Sequence, residues 1–115
     1  MKRNFIRLVK EVKSNDEVEF ATYVTPVFIS TDIVFEAADI VAEIESGKSK
    51  KTERELYEIM YELIVRIYNN QFTVEELRKG ISAPMLQDTF TEQIQFIAAG
   101  AMDDERKKQL KEILK

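Results

Sequence analysis

The sequence predicts a mostly helical α+β domain: a small N-terminal β-hairpin packed on about four helices, followed by a charged helical tail. Three observations carry this. Val, Ile, Phe and Tyr crowd into residues 5–12 and 18–29, with the turn material SNDE between them, a pattern that favours strands. Later segments repeat apolar residues at helical spacing. Thr52 with Glu55 and Thr73 with Glu76 each have the spacing of a capping box, in which side chain and backbone satisfy each other at a helix start. At 115 residues the chain suits one domain. We assign residues 1–102 to it, with the hairpin at about 5–29 and helices at about 31–46, 52–69, 73–80 and 83–100. Residues 103–115 form the charged amphipathic tail.

In the hairpin, Val18, Phe20 and Val24 alternate imperfectly with polar or small neighbours, as on a half-buried strand. Pro26 has no amide to donate and pushes Thr25 towards an extended backbone, so it marks an edge or the end of pairing. The first arm, FIRLVKEV, reads equally as a short helix. Ser30 or Thr31 can cap the next element, in which Ile33, Ala37, Ile40, Val41 and Ile44 share one face and Glu36, Asp39 and Glu43 lie opposite. Gly47 ends it, and GKSKK links onward. The helix after Thr52 is the core helix. Leu56, Ile59, Met60, Leu63, Ile64 and Ile67 form its stripe, and Tyr57, Tyr61, Val65 and Tyr68 widen it. Glu55, Glu58, Glu62 and Arg66 are left for water, with Glu62 and Arg66 spaced to pair. Gly80 closes the short helix VEELRK. Ser82 starts the last long helix, with Pro84 tolerated in its first turn, and Leu86, Phe90, Ile94, Ile97 and Ala101 share a face. Asp103, Asp104 and Glu105 complement the dipole at the start of the tail helix.

Composition narrows the chemistry. The chain is 44% hydrophobic and 33% charged, as in a globular protein and unlike a disordered one. It has no cysteine and no histidine, which removes disulfides, thiolate nucleophiles and thiolate or imidazole metal sites. Lys10 and Lys13 interrupt the apolar run a signal peptide needs. Glu62 and Arg66 interrupt the most apolar helix, so no membrane span is expected. Paired carboxylates remain. Glu58 with Glu62, and Asp88 with Glu92, lie one helical turn apart, but no glycine loop or convergent polar set accompanies them, and such spacing is common on wet helix faces. No catalytic residue, cofactor or metal is therefore expected.

Recognition fits better. Tyr57, Tyr61 and Tyr68 flank the core helix either as core closure or as a docking surface, since tyrosine gives large contact area at low entropic cost. Tyr23 and Phe28 beside Pro26 carry the same two readings. Leu110, Ile113 and Leu114 make the tail a second candidate, folding on a partner or simply fraying. Residues 1–13 carry five basic side chains against one acid, whereas residues 14–45 hold eight acids and no lysine or arginine. Nucleic-acid binding through Lys2, Arg3, Arg7, Lys10 and Lys13 is thus a lesser alternative, opposed by the acidic middle. A small intracellular adaptor for another protein is the nearer one.

The run ELIVRIYNNQFTVEELRKGISAPMLQDTFTEQIQFIAAGA, residues 62–101, resembles the tail assembly chaperones of long-tailed, non-contractile (siphovirus-type) bacteriophages and prophages. The likeness rests on Tyr68, Asn69, Gln71, Phe72, Thr73, Glu75, Glu76, Leu77 and Gly80, then Leu86 and Ile94. Upstream, Val24 to Glu43, with Pro26 and an alanine-containing helix, fits the family's strand-to-helix passage. The basic amino-terminal segment and the basic-rich tail depart from its pattern. The resemblance implies a few-stranded element packed on several helices. It implies a protein that binds the tape measure protein, keeps it soluble and promotes tail tube polymerisation around it, in the cytoplasm of the bacterial host and outside the mature virion. It also implies contact with the tail tube protein and a longer frameshifted form carrying a further C-terminal domain. No nucleic acid and no membrane enters that role. Apart from the resemblance, exposed tyrosines and an unpaired strand edge would suit a homo-oligomer. Tyr57, Tyr61, Tyr68, Leu110, Ile113 and Leu114 are the expected protein-binding residues.

Overall fold

The computed structural model describes residues 2–100 and 102–115. Among them stand a two-stranded antiparallel hairpin and five α-helices. Strands β1 (Phe5–Val12) and β2 (Val18–Val24) pair with Phe5 opposite Val24 and Val9 opposite Phe20, and the register slips between Val9 and Glu11. The first arm is therefore a strand, as its β-branched and aromatic content favours. Ile6, Leu8, Ala21 and Tyr23 share the inner face. Val9, Val12, Val18 and Phe20 share the outer one.

Helix α1 (Asp32–Ser46) starts after a turn in which the Ser30 hydroxyl accepts the Asp32 amide at 3.3 Å, while the Thr31 hydroxyl makes no cap bond. Gly47, at φ +64°, ends it. Both capping boxes are present, at the starts of α2 (Glu53–Ile67) and α3 (Val74–Gly80). Asn69 and Asn70 stop α2. Both adopt the left-handed conformation that asparagine tolerates better than most residues, and the Asn70 amide reaches back to the Val65 carbonyl. The last long helix begins later than the sequence suggests. Ala83–Met85 form a 3₁₀ turn containing Pro84, Ser82 makes no side-chain cap, and α4 runs Leu86–Ala99. Ala101, assigned to the α4 face, lies outside the described residues. Helix α5 (Asp104–Leu114) is capped by the Asp103 carboxylate, which accepts the Arg106 amide.

Helix α2 is the centre of the core. Leu56, Met60, Tyr61, Leu63, Ile64, Val65 and Ile67 are buried on it, and Ile59 is half-buried. Ile6 and Leu8 of β1, Ala37 and Ile40 of α1, Phe72, Leu77 of α3, and Phe90 and Ile94 of α4 pack around them. Arg66 does not pair along its own helix with Glu62. It crosses to Glu36 of α1 at 2.7 Å, an exposed bridge worth little by itself.

Gly80 serves packing rather than helix termination. It is the last residue of α3, and a Cβ there would meet the Leu8 Cβ at 2.8 Å and the Val9 backbone at 3.3 Å. Alanine has the higher helix propensity, by roughly 1 kcal/mol, so propensity alone would make Gly80→Ala stabilising. The steric conflict with the strand dominates, and we expect Gly80→Ala to lose about 1–3 kcal/mol in urea unfolding. A stabilised variant would show that α3 does not approach β1 this closely.

Candidate functional site

Among the described residues no group of three or more acidic side chains is arranged to hold a metal ion, and no helix is long and apolar enough to cross a membrane. Each carboxylate pair has one member bound to an arginine. Glu58 meets Arg78 at 3.3 Å, and Glu92 meets Arg106 at 3.0 Å. In the basic segment, Arg3 donates two bonds to the Thr25 carbonyl and Lys10 lies 3.9 Å from Glu19.

The three flanking tyrosines do not form one accessible surface. Tyr68 is fully buried, and its hydroxyl donates to Gln93 Oε1 at 2.6 Å. Burial pushes that hydroxyl's pKa far above the usual tyrosine value. Tyr61 is also buried, its ring edge-on to Phe90 at 5.4 Å. Tyr57 is half-buried. Its hydroxyl donates to Glu53 and accepts from Gln87, and the bond to Glu53 raises its pKa. Of the two readings of this flank, core closure therefore describes Tyr61 and Tyr68, which are covered by Phe90 and Gln93 of α4 and by Phe72. Tyr23 is also half-buried, packed on Phe72 with ring centroids 4.9 Å apart.

In the tail, Leu110 and Ile113 are half-buried and Leu114 is exposed. What ties the tail down is Arg106, whose side chain is only 12% exposed. Its guanidinium donates to Glu92, to Asn4 Oδ1 at 2.8 Å and to the Phe5 carbonyl at 2.6 Å, and it lies 4.1 Å from the centre of the Phe5 ring. Its Nε is buried without an acceptor.

Arg106 completes a buried polar network that joins the open end of the hairpin to α4. Asn4, Thr25 and Gln93 are all buried. Asn4 and Thr25 extend the hairpin by one pair: the Thr25 amide donates to the Asn4 carbonyl, and the Asn4 amide donates to the Thr25 hydroxyl. Gln93 Nε2 donates to the Phe5 carbonyl at 3.0 Å, and Gln93 Oε1 accepts from Asn4 Nδ2 as well as from Tyr68. Asn4, Thr25, Gln93 and Arg106 are not among the residues that the sequence marks as a site. One signal was present, since Gln93 lies three residues after Phe90 and seven after Leu86, on the apolar face of α4.

Surface apolar groups collect elsewhere. Val12, Val18 and Phe20 are exposed on the outer face of the hairpin, and Val27, Phe28 and Phe35 are exposed around the start of α1. A groove of about 250 Å³ opens between the β2–α1 loop and the end of α4, lined by Val27, Phe28, Val34, Phe96 and Ile97. A second, of about 350 Å³, lies over α1, α2 and α4, lined by Val41, Ile44, Tyr57, Met60, Phe90 and Ile94. Apolar grooves on a small scaffold suit the capture of another chain's apolar side chains.

Residues 1–113 match the family described as phage tail chaperone protein. No curated protein and no solved structure matches the chain.

Two outcomes test this geometry. Tyr61→Ala/Tyr68→Ala removes two core aromatics, each worth about 3–5 kcal/mol, a sum comparable to the whole stability of a domain, about 5–15 kcal/mol. The double variant is expected to lose its cooperative urea transition, and a folded variant with normal helicity would refute their core placement. Glu92 reports on pH. Burial lifts its carboxyl above the usual glutamate range against the pull of Arg106, and Asp103 and Asp88 push the same way. The folded chain then holds this proton to higher pH than the unfolded chain. That contribution is full below the unfolded value, near 4.3, and is lost as pH rises through the folded one. Glu92→Gln lacks this titration, so wild-type stability relative to the variant should fall from about pH 4.3 upward. A difference that stays flat or rises would show that pairing with Arg106 outweighs burial.

Proposed function

The chain belongs to the phage tail chaperone family, and from that premise we propose that it is the tail assembly chaperone of a siphovirus-type phage or prophage. In this reading it binds the tape measure protein in the host cytoplasm, keeps it soluble, and promotes polymerisation of the tail tube protein around it. It leaves before the virion is complete. The match over residues 1–113, nearly the full length of the chain, carries the proposal.

Physical chemistry supports such a role. A long client with exposed apolar faces aggregates when those faces meet one another. A small domain with its own closed core can cover them transiently if it keeps some apolar surface unburied. Val12, Phe20, Val27, Phe28 and Phe35 are such surface here. The client's binding is non-covalent, so the role asks for no nucleophile, acid or base.

Co-expression of a tape measure protein with and without this chain tests the reading. A soluble fraction that appears only with the chain, and co-purifies with it, is the expected result. A tape measure protein that stays insoluble, with nothing retained, would remove the chaperone assignment.

A further inference from the structure

Among the described residues, three of the four most exposed large apolar side chains fall within nine positions: Val27 at 60%, Phe28 at 70% and Phe35 at 68%. Val27 and Phe28 rim the groove floored by Val34, Phe96 and Ile97. Phe35 stands one residue after Val34, on the outward side of α1. At 100° per residue that outward side continues through Ala38 and Ala42, and both are exposed. The spacing 35, 38, 42 makes a short apolar ridge, and its two alanines let another helix approach closely.

Along α1 the charge beside this ridge has one sign, and Lys2, the one cation among the described residues lining the groove, lies at its far rim against Gly100. Asp32, Asp39 and Glu45 flank the ridge, all exposed, and among the described residues none has an ion-pair partner, whereas Glu36 and Glu43 on the inward flank are bound to Arg66 and Lys51. The surrounding segment, residues 14–45, contains no lysine or arginine. The hairpin differs, because its charges, Lys10 and Glu19, are of opposite sign and lie 3.9 Å apart. An apolar ridge with free carboxylates on both sides is complementary to an apolar stripe with cations on both sides.

We infer that the outward face of α1, together with the Phe28 groove, is a docking site for an amphipathic helix whose apolar stripe is flanked by lysine or arginine. This deepens the chaperone reading by assigning it a client-binding face and a client chemistry. Phe28 and Phe35 are the apolar anchors, and Asp32, Asp39 and Glu45 set the charge preference. Aromatic anchors at the centre of such a contact carry most of its energy, while rim charges add specificity and salt dependence.

The test uses the full chain and two labelled synthetic helices, one built from Leu and Lys and one from Leu and Glu, followed by fluorescence anisotropy. The Leu/Lys helix should bind, weaken with added salt, and lose about tenfold in affinity on Phe28→Ser/Phe35→Ser. Asp32→Lys/Asp39→Lys/Glu45→Lys should weaken it as well and turn the preference towards the Leu/Glu helix. These side chains are exposed, so the charge variant keeps a cooperative urea transition, its midpoint lowered only by the loss of Asp32 from the first turn of α1, even if the apolar variant does not. Val12→Ser/Phe20→Ser on the hairpin should leave binding unchanged. Equal binding of both helices to the wild type, or equal loss in the hairpin variant, would overturn the site. Co-expression separates this result from the broader reading. If wild type and Phe28→Ser/Phe35→Ser solubilise the tape measure protein equally, the face is wrong and the chaperone role stands. If the wild type fails there yet the peptide data hold, the face stands and the role falls.

Discussion

Gln93 is 1% exposed on the inner face of a helix otherwise lined there by Phe90, Ile94 and Phe96. A primary amide in that position must be matched at both ends, because an unsatisfied buried donor or acceptor costs about 1–3 kcal/mol. Its nitrogen finds the Phe5 carbonyl, and its oxygen finds the Tyr68 hydroxyl and the Asn4 amide. Those partners come from the start of β1 and the end of α2. One side chain thereby fixes the hairpin, the core helix and α4 relative to one another, with a directional requirement that apolar packing lacks. Arg106 then closes the outside of the network by bonding Asn4 and Phe5 and covering the Phe5 ring.

The rest of the molecule accommodates that fixed point. With the hairpin held at its open end, α3 approaches β1 closely enough to require Gly80. The two left-handed asparagines after α2 turn the chain at once, which puts Phe72 against both Tyr68 and Tyr23. Helix α4 sets Phe90 against Tyr57 and Tyr61 of α2, and α1 adds Ala37 and Ile40 to the same core. What remains outside is the far end of the hairpin and the outward side of α1. The positional order of the core and the apolar character of the surface are consequences of the same arrangement.

Sequence periodicity was enough for the elements with local causes. Both capping boxes, the Gly47 stop and the apolar stripe of α2 are written in spacings of three and four residues, and the structure follows them. What could not be read locally were partners brought together across the chain. Tyr61 and Tyr68 lie off the centre of the α2 stripe, and only the positions of Phe72, Phe90 and Gln93 decide that they are covered. Arg106 looked like one charge among many in a charged tail, although it sits four residues before Leu110 and seven before Ile113, on the same helical face. Gly80 read as a helix terminator because glycine usually is one. Its actual constraint is the distance to Leu8, which no local pattern encodes. Phe28 and Phe35 stood in plain view as apolar residues, but a sequence alone does not show which apolar side chains the core leaves out.

The span of the Arg106 contacts has a consequence for how the chain is made. Asn4 and Phe5 leave the ribosome well before the groups that complete their bonding, which lie 88 to 102 positions later. Loop-closure entropy disfavours such distant contacts until the intervening helices have shortened the path. The α2–α3 region, whose capping boxes act within three residues, can form as it emerges, whereas the hairpin's open end must wait for Gln93 and Arg106. The open end of the hairpin is thus made early and locked late. A nascent chain stalled before residue 106 holds a helical core with an unsealed seam, and it is α5 that seals it.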